Sequence, residues 1–337
     1  MPLSPLAAIL LAVFLAAALS AGLIVALRPL LLRYALARPN ARSSHRVPTP
    51  QGGGIAVVAA ALAVLLGLSG AMGAEIPALA AGTLALAVVG AVDDIRPLSA
   101  GLRLPLQAAC VVLVLSASGG APLVPALPSW LEYGLAVLAG LWFVNLVNFM
   151  DGLDWMTVAE MVPVLGALTV FGLTGHLPAE ATVAAAALLG GLLGFAPFNR
   201  PVARLFLGDV GSLPIGLLVA WILYRLAEEG GLAAAILLPL YYLADATLTL
   251  GRRALAGEAV WQAHRSHFYQ RATTNGRAVP VVVGAVFGLN LALALLAGIT
   301  LAAPGWPVSL ASLALGAGLV AALLRLFALP ATRTPPA

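Results

Sequence analysis

Four polar side chains close a long apolar run at steps of three residues: Asn145, Asn148, Asp151 and Asp154. This spacing puts successive members on neighbouring parts of a helical surface. In a chain with only 9% charged residues, such groups at one end of a membrane-length segment are costly unless they bind something. Two amides and two carboxylates could hold a cation or a phosphorylated ligand. The alternative is a polar helix end that meets water.

A second acidic group, Asp93-Asp94, ends another apolar segment. Adjacent carboxylates repel each other unless a cation or hydrogen-bond donors lie between them. The dipole of a helix C-terminus disfavours them further. Because magnesium is held by a few carboxylates together with substrate phosphates, divalent-metal or phosphate chemistry explains the pair better than a structural role, which stays open as the alternative.

The segment 199–212 combines Asn199, Phe206 and Asp209 with glycines on both sides of the aspartate. Glycine allows a backbone to approach a ligand closely. Asp209 directly precedes a predicted helix, whose exposed N–H groups suit a phosphate. Helix capping by Asp209 would need no ligand, but capping alone leaves the neighbouring asparagine, arginines and aromatic ring unexplained.

Two basic segments could contact the anionic part of a ligand. The first carries His45, Arg46 and Thr49 before a glycine triplet. Its prolines and glycines predict a rigid turn with a close backbone approach, and its basic residues could contact an anion. A plain connection between helices is an equally good interpretation of this segment.

The second basic segment carries His264, Arg265 and His267. Two histidines three residues apart, with arginines beside them, can bind a diphosphate or donate protons. The alternative is a juxtamembrane basic segment attracted to anionic lipid. Shortly before it, Asp245 lies within an apolar stretch, where an aspartate is expected to face a polar cavity or a partner.

Composition indicates which elements position these groups. Of the 337 residues, 62% are hydrophobic, which exceeds the roughly half-apolar makeup of a soluble domain. Apolar runs of about 20 residues recur and lack the polar face of a soluble helix. The single cysteine, Cys110, can form neither an intrachain disulfide nor a cysteine cluster for a metal.

We therefore predict an all-α, polytopic integral membrane protein that forms a single domain over residues 1–337. About eleven transmembrane helices are expected, near residues 5–27, 53–72, 76–92, 104–119, 131–149, 156–174, 181–198, 211–227, 231–250, 280–302 and 308–329. No internal repeat is apparent in this series.

The distribution of arginine predicts the orientation. If alternate loops lie on the same side of the membrane, one side receives all of the 17 basic residues except Arg225. The positive-inside rule makes that side cytoplasmic, with the N-terminus outside and the C-terminus inside. The same side receives the aspartate clusters, so the working surface is expected on the cytoplasmic loops. The outer side receives scattered glutamates, interpreted as solvated loop charges: Glu75, Glu132, Glu180, Glu228 and Glu229.

We call the second basic segment, which carries His264 and His267, the histidine loop. Along the chain, the acidic clusters come first, then the 199–212 segment and then the histidine loop, all on one predicted face. In this combination the chain resembles the polyprenyl-phosphate N-acetylhexosamine-1-phosphate transferases, glycosyltransferase family 4. Relatives of this kind initiate O-antigen and enterobacterial common antigen, and another makes the first lipid-linked peptidoglycan precursor. The resemblance covers about residues 43–275.

The resemblance implies transfer of a sugar 1-phosphate from a UDP-sugar to polyprenyl (undecaprenyl) phosphate, with release of UMP, at a bacterial inner (plasma) membrane. Implied partners are these two substrates and membrane lipid, with no nucleic acid and with a homodimer as an option. The implied cofactor is Mg²⁺, or Mn²⁺ in its place, bound by Asp209 and Asp94. Implied catalytic residues are Asp93, Asp94, Asp151 and Asp154. Implied substrate contacts, with uracil at Asn199 and Phe206, are His45, Arg46, Thr49, Arg103, Asn148, Asn199, Phe206, His264, Arg265 and His267.

Two departures from the family pattern matter. Trp155 follows Asp154 where the family often continues differently, so local packing is expected to differ. Arg46 and Arg103 stand where the family commonly has lysines, and arginine cannot readily release a proton. Alternatives to the initiating transferase are the peptidoglycan-precursor transferase and, from a different class, an ion-coupled transporter.

Overall fold

A computed structural model describes residues 4–37, 48–69, 74–119, 122–260, 262 and 264–331. Two short strands, β1 (Leu36–Ala37) and β2 (Thr49–Pro50), pair antiparallel. The helices are α1 Pro5–Tyr34, α2 Gly53–Leu68, α3 Glu75–Ile95, α4 Ala100–Ser118, α5 Ser129–Met150, α6 Met156–Leu173, α7 Ala179–Phe195, α8 Asp209–Leu226, α9 Leu232–Leu237, α10 Leu240–Leu255, α11 Phe268–Thr274, α12 Val279–Ala302 and α13 Trp306–Ala328.

The predicted all-α membrane class is confirmed, and every predicted span overlaps helix within the described residues. Within the described ranges, eight helices are long and apolar enough to cross a membrane. Two further apolar helices, α2 and α7, are shorter. The eleven predicted spans therefore correspond to long helices together with shorter ones, which composition alone does not separate.

The predicted span 231–250 was wrong as a single helix. It is divided into α9 and α10 at Pro239, because proline lacks an N–H group and its ring clashes with the preceding turn. A second break separates α8 from α9, where Glu229 leaves helical geometry and Gly230 adopts a φ of 84°.

The centre of the bundle is formed by α7, which packs on α1, α2 and α6. A Cβ atom at Gly190 would lie 2.3 Å from the Val13 carbonyl oxygen, and one at Gly194 would lie 2.4 Å from that of Ala17. The absence of side chains at these positions lets α1 and α7 touch through their backbones. These glycines therefore serve contacts within the chain.

The interpretation of all five predicted outer glutamates as solvated loop charges was wrong for part of the set. Glu75 accepts a hydrogen bond from Trp221 Nε1 at 2.9 Å and lies 3.6 Å from Arg225. Glu228 forms an ion pair with the same arginine. The Glu132 carboxylate accepts from the backbone N–H of Leu123. These carboxylates therefore stabilise one end of the bundle.

Candidate active site

The end of α5 meets the start of α8 through Asn148. Its Nδ2 donates to Asp209 Oδ1 at 2.7 Å and to Ser212 Oγ at 2.9 Å. Asn145, one turn earlier, takes no part, because it is buried and donates to Gln107 Oε1 at 2.8 Å. Of the two predicted amides, Asn145 is therefore structural, and Asn148 contacts the acidic residue Asp209.

The end of α3 joins the same place through Asp94. Its carboxylate accepts from the backbone N–H of Asp209 at 3.0 Å and of Val210 at 3.1 Å. The N–H groups at a helix start lack intrahelical partners and carry partial positive charge, so a carboxylate is stabilised there. A Cβ at Gly90 would lie 2.2 Å from the Asp209 carbonyl oxygen, and this close packing brings α3 against α8.

Asp93 completes a group of three carboxyl side chains. Its Oδ2 accepts from Arg103 Nη1 at 2.7 Å, its Oδ1 accepts from the Leu98 N–H, and its side chain is hydrogen-bonded to Asp209. The predicted substrate contact of Arg103 stays a prediction, since this guanidinium is engaged with an aspartate here. We call Asp93, Asp94, Asp209 and Asn148 the acidic junction.

The acidic junction fits a divalent cation. Asp93 and Asp209 are in side-chain contact with Asp94 beside them, and such carboxyl groups repel each other unless a proton or a cation lies between them. Their oxygen atoms are the ligands that Mg²⁺ prefers. Across the described residues, no three His, Cys, Asp or Glu side chains are already arranged as a metal site, so phosphate or water would have to complete the coordination.

Asp151 and Asp154 point to different neighbours. Asp151 accepts a hydrogen bond from the Thr157 hydroxyl. Burial raises the pKa of Asp151 to about 7, and the charges of Asp94 and Asp154 add to the rise. Asp154 accepts from the Ala203 N–H at 2.9 Å, which ties it to the 199–208 loop. Asp151 thus lies against α6, whereas Asp154 lies against the loop before α8.

Asn199 organises the loop before α8. Its Oδ1 accepts from the Trp155 N–H at 2.7 Å, and its Nδ2 donates to the Leu205 carbonyl at 2.9 Å. Trp155 adopts a left-handed φ of 63° and donates Nε1 to the Ala196 carbonyl at 2.6 Å. Trp155, where this chain differs from the family pattern, therefore connects the start of α6 to the end of α7. The predicted contact of Asn199 with uracil stays a prediction.

The glycines next to Asp209 lie close to other parts of the protein. A Cβ at Gly211 would lie 2.6 Å from Gly54 Cα, and one at Gly208 would lie 2.7 Å from Asp94 Oδ2. The loop also contacts the end of β2, since Phe206 N–H donates to the Pro50 carbonyl at 2.9 Å. These glycines therefore serve close contacts within the protein, and the close approach to a ligand stays a prediction.

The first basic segment is described only in part. His45 and Arg46 lie outside the described residues. Thr49 is buried in β2, where it pairs with Ala37. Its predicted substrate contact stays a prediction.

The histidine loop lies against the end of α5. His267 is buried, whereas His264 is partly exposed and Arg265 is exposed. The ring centroids of His264 and His267 are 4.9 Å apart. Burial lowers the pKa of His264 to about 4, and the charges of His267 and Arg253 lower it further. His264 is therefore neutral near pH 7.

Sequence reasoning missed the importance of one residue of this loop and one of its partners. Tyr269 donates its hydroxyl to the Phe149 carbonyl at 3.0 Å, next to the central motif. Asp245, noted in the sequence but not assigned to the site, accepts from His267 Nδ1 at 3.1 Å. The position of an aspartate inside an apolar stretch was the signal that could have placed it here.

An apolar cavity lies within the bundle, among helices that include α5 and α8. Its volume is about 240 Å³, and its walls come from α4, α5, α8, α9 and α10. Trp142 and Phe143 form its wall on α5. Trp142 is six residues, or about 9 Å of helix, before Asn148. A second cavity, of about 600 Å³, lies against Trp155, Arg200 and Arg204.

The fold and the acidic junction define a multi-pass membrane protein with an acidic site at the helix ends. Residues 76–227 match the family described as Glycosyl transferase family 4. This match contains the acidic junction and confirms the resemblance drawn from the motifs.

Curated relatives agree with this family. The chain is 24% identical over 273 residues, covering 76% of each chain, to the "Probable undecaprenyl-phosphate N-acetylglucosaminyl 1-phosphate transferase" of Bacillus subtilis (strain 168). It is 31% identical to the "Phospho-N-acetylmuramoyl-pentapeptide-transferase" of Leuconostoc citreum (strain KM20), over 53% of this chain and 62% of the relative. The same-named protein of Synechococcus sp. (strain JA-3-3Ab) is 36% identical, over 53% and 57%. The predicted enzyme class is confirmed, and the transporter alternative finds no support.

Proposed function

We propose that this protein transfers an N-acetylhexosamine 1-phosphate from a UDP-sugar to polyprenyl phosphate, giving a polyprenyl-diphosphate-sugar and UMP. The observation that carries the proposal is the acidic junction, where Asp209 at the start of α8 meets Asn148 and the Asp93-Asp94 pair. Carboxylates beside a helix N-terminus, within a membrane bundle, suit a metal-bound diphosphate whose acceptor is a lipid.

In the proposed reaction, an oxygen of the lipid phosphate attacks the β-phosphorus of the UDP-sugar. The bond between that phosphorus and the oxygen bridging to the α-phosphate breaks, and UMP leaves. Direct attack is favoured over a covalent aspartyl intermediate, because a phosphate oxyanion needs little activation beyond charge neutralisation. When bound, Mg²⁺ supplies that neutralisation, and Asp209 and Asp94 are the residues that would hold it.

The chain's own residues have distinct proposed roles. Asn148 fixes the Asp209 carboxylate, and Arg103 keeps Asp93 in place. Asp151, whose pKa lies near 7, can accept or release a proton at the pH of the cytoplasm. His264, Arg265 and His267 form the side of the site that would contact the diphosphate or the sugar.

The apolar cavity supports a lipid acceptor. A polyprenyl tail needs an apolar path that leads to the place where its phosphate reacts, and the cavity wall at Trp142 lies about 9 Å along α5 from Asn148. A cytoplasmic active site, a bacterial inner membrane and the initiation of an envelope glycan, such as the O-antigen of lipopolysaccharide, are parts of the same proposal.

A second candidate donor comes from the relatives named as phospho-N-acetylmuramoyl-pentapeptide transferases. The bonds made and broken would be the same, so the acidic junction does not distinguish the two donors. The choice rests on which UDP-linked sugar the protein accepts.

UMP release tests the proposal. Purified protein is supplied with Mg²⁺, polyprenyl phosphate and each member of a panel of UDP-N-acetylhexosamines, with UDP-N-acetylmuramoyl-pentapeptide as a further donor. Release with one UDP-N-acetylhexosamine supports the proposed reaction, and release only with the pentapeptide donor supports the second candidate. No release with any donor would overturn both. A reaction without polyprenyl phosphate serves as the control for simple hydrolysis.

A further inference from the structure

Asp245 is a fully buried carboxylate in α10 that accepts hydrogen bonds from two elements. Within its own helix, the hydroxyl groups of Tyr241 and Thr249 donate to it at 3.2 Å each. Three further donors, at 3.0–3.1 Å, come from residues 267–269 at the start of α11. A buried carboxylate is stable only when such donors satisfy it, so the start of α11 is fixed to α10 at this point.

The contact with His267 sets the chemical state of that ring. Asp245 faces donors on both oxygens, so it acts as an acceptor, and His267 Nδ1 must carry the hydrogen that joins them. His267 Nε2 is then the atom that can accept a proton or a hydrogen bond. The His264 ring lies 4.9 Å from His267 at an angle of 31°. The more exposed histidine therefore packs against the buried one.

The same carboxylate also fixes the side chain that reaches the central motif. Asp245 Oδ2 accepts from the Tyr269 N–H at 3.1 Å, and the Tyr269 hydroxyl donates to the Phe149 carbonyl at 3.0 Å. A Cβ at Gly152 would come within 2.1 Å of that hydroxyl. The tyrosine thus packs on the turn that carries Asp151.

We infer that Asp245 is a positioning residue, which fixes the His264–His267 loop and the Asp151 turn relative to each other. The inference rests on the proposed function, because it assigns these two groups to one active site. Asp245 itself touches neither substrate nor the acidic junction. Its effect passes through His267 on one side and through Tyr269 on the other.

Two measurements on Asp245→Asn test the inference. Hydrogen exchange of the full-length protein in detergent is expected to rise in peptides covering 264–271 and 149–153, because the amide NH₂ would face the N–H donors. In the UMP-release assay kcat is expected to fall about 10- to 100-fold, by analogy with carboxylates that orient histidines, with a smaller change in KM. Glu160→Gln is the matched control, since Glu160 is equally buried but bonds to Asn290 in α12. Glu160→Gln is expected to change neither the hydrogen exchange of the two peptides nor kcat.

The outcomes separate this inference from the proposed function. The positioning role would be overturned if hydrogen exchange were unchanged in both peptides, or if it rose equally along the whole chain. An unchanged kcat would also overturn it. A wild-type protein that releases no UMP contradicts the proposed function, while the exchange measurement still decides whether Asp245 holds the loop.

If Asp245→Asn does not yield monodisperse protein, Tyr269→Phe takes its place. That variant keeps the carboxylate, and faster exchange confined to 149–153 with a lower kcat is expected; no change in either would overturn the link.

Discussion

Asn148 and Asp209 are joined by a hydrogen bond of 2.7 Å, although 61 residues separate them in the chain. The bond connects the last turn of α5 with the first residue of α8. The geometry of the acidic junction therefore depends on how these two helices pack, together with α3. Four consequences can be measured.

Asp209→Asn is expected to abolish UMP release while the protein remains folded. The amide has nearly the same shape but lacks the negative charge that would hold Mg²⁺. Saturating Mg²⁺ should raise the Tm of the wild-type protein, because a ligand that binds only the folded state stabilises it. The variant should show no such rise. Glu180→Gln, an exposed first-turn carboxylate of α7, is the control, and normal turnover by Asp209→Asn would remove Asp209 from the site.

The two asparagines of α5 are expected to respond differently to replacement by alanine. Asn148→Ala should lower kcat by about 10- to 100-fold, because the Asp209 carboxylate loses the amide that orients it. Asn145→Ala should instead lower the free energy of unfolding by about 1–3 kcal/mol, since it leaves the buried Gln107 oxygen without its donor. Assays of kcat and of Tm on both variants distinguish the roles. Equal kcat values in the two variants would contradict the assignment.

The raised pKa of Asp151 predicts a specific dependence of stability on pH. Its pKa is about 7 in the folded protein against an ordinary value of 3.8, so between these values the folded state binds more protons than the unfolded state. Stability must then fall as pH rises from about 4 to about 7, with no further loss from this group above that range. Tm measured in EDTA from pH 4 to pH 8 should fall more steeply for the wild-type protein than for Asp151→Asn. Parallel curves would show that the Asp151 pKa is not raised.

Gly54→Ala is expected to disrupt the contact between α2 and α8. A Cβ there would lie 2.1 Å from Gly211 Cα, a distance that backbones can relieve only by moving apart. Because Gly211 lies two residues after Asp209, both the Tm and the rate of UMP release should fall. Gly67→Ala is the control in the same helix, where a Cβ would meet nothing within 4 Å. A Tm for Gly54→Ala equal to that of the control would contradict this contact.

Much of the fold follows from the sequence alone. Long apolar runs determine helices wherever they occur, because a backbone in lipid must satisfy its own hydrogen bonds. The division at Pro239 was harder to predict, since the apolar pattern continues on both sides of it. The short apolar helices α2 and α7 were likewise indistinguishable from full spans by composition.

The candidate site was predictable at the level of residue type. Asp93, Asp94, Asn148 and Asp209 were selected because charge and amide groups are costly beside lipid, and the structure brings these four together. The roles of Asn145 and Trp155 were not predictable. Whether an amide supports a neighbouring helix or an active site depends on what packs against it.

The class of the protein, its helices and the family of its motifs are predictable from composition and short-range spacing. Three contacts became visible only in the folded chain: Asp94 caps α8, the glycines near Asp209 meet distant parts of the chain, and Asp245 holds the histidine loop. Each of these contacts joins residues far apart in the chain. Their formation depends on the angles and distances at which helices pack, and these are set by side-chain shape across the whole bundle rather than by local sequence.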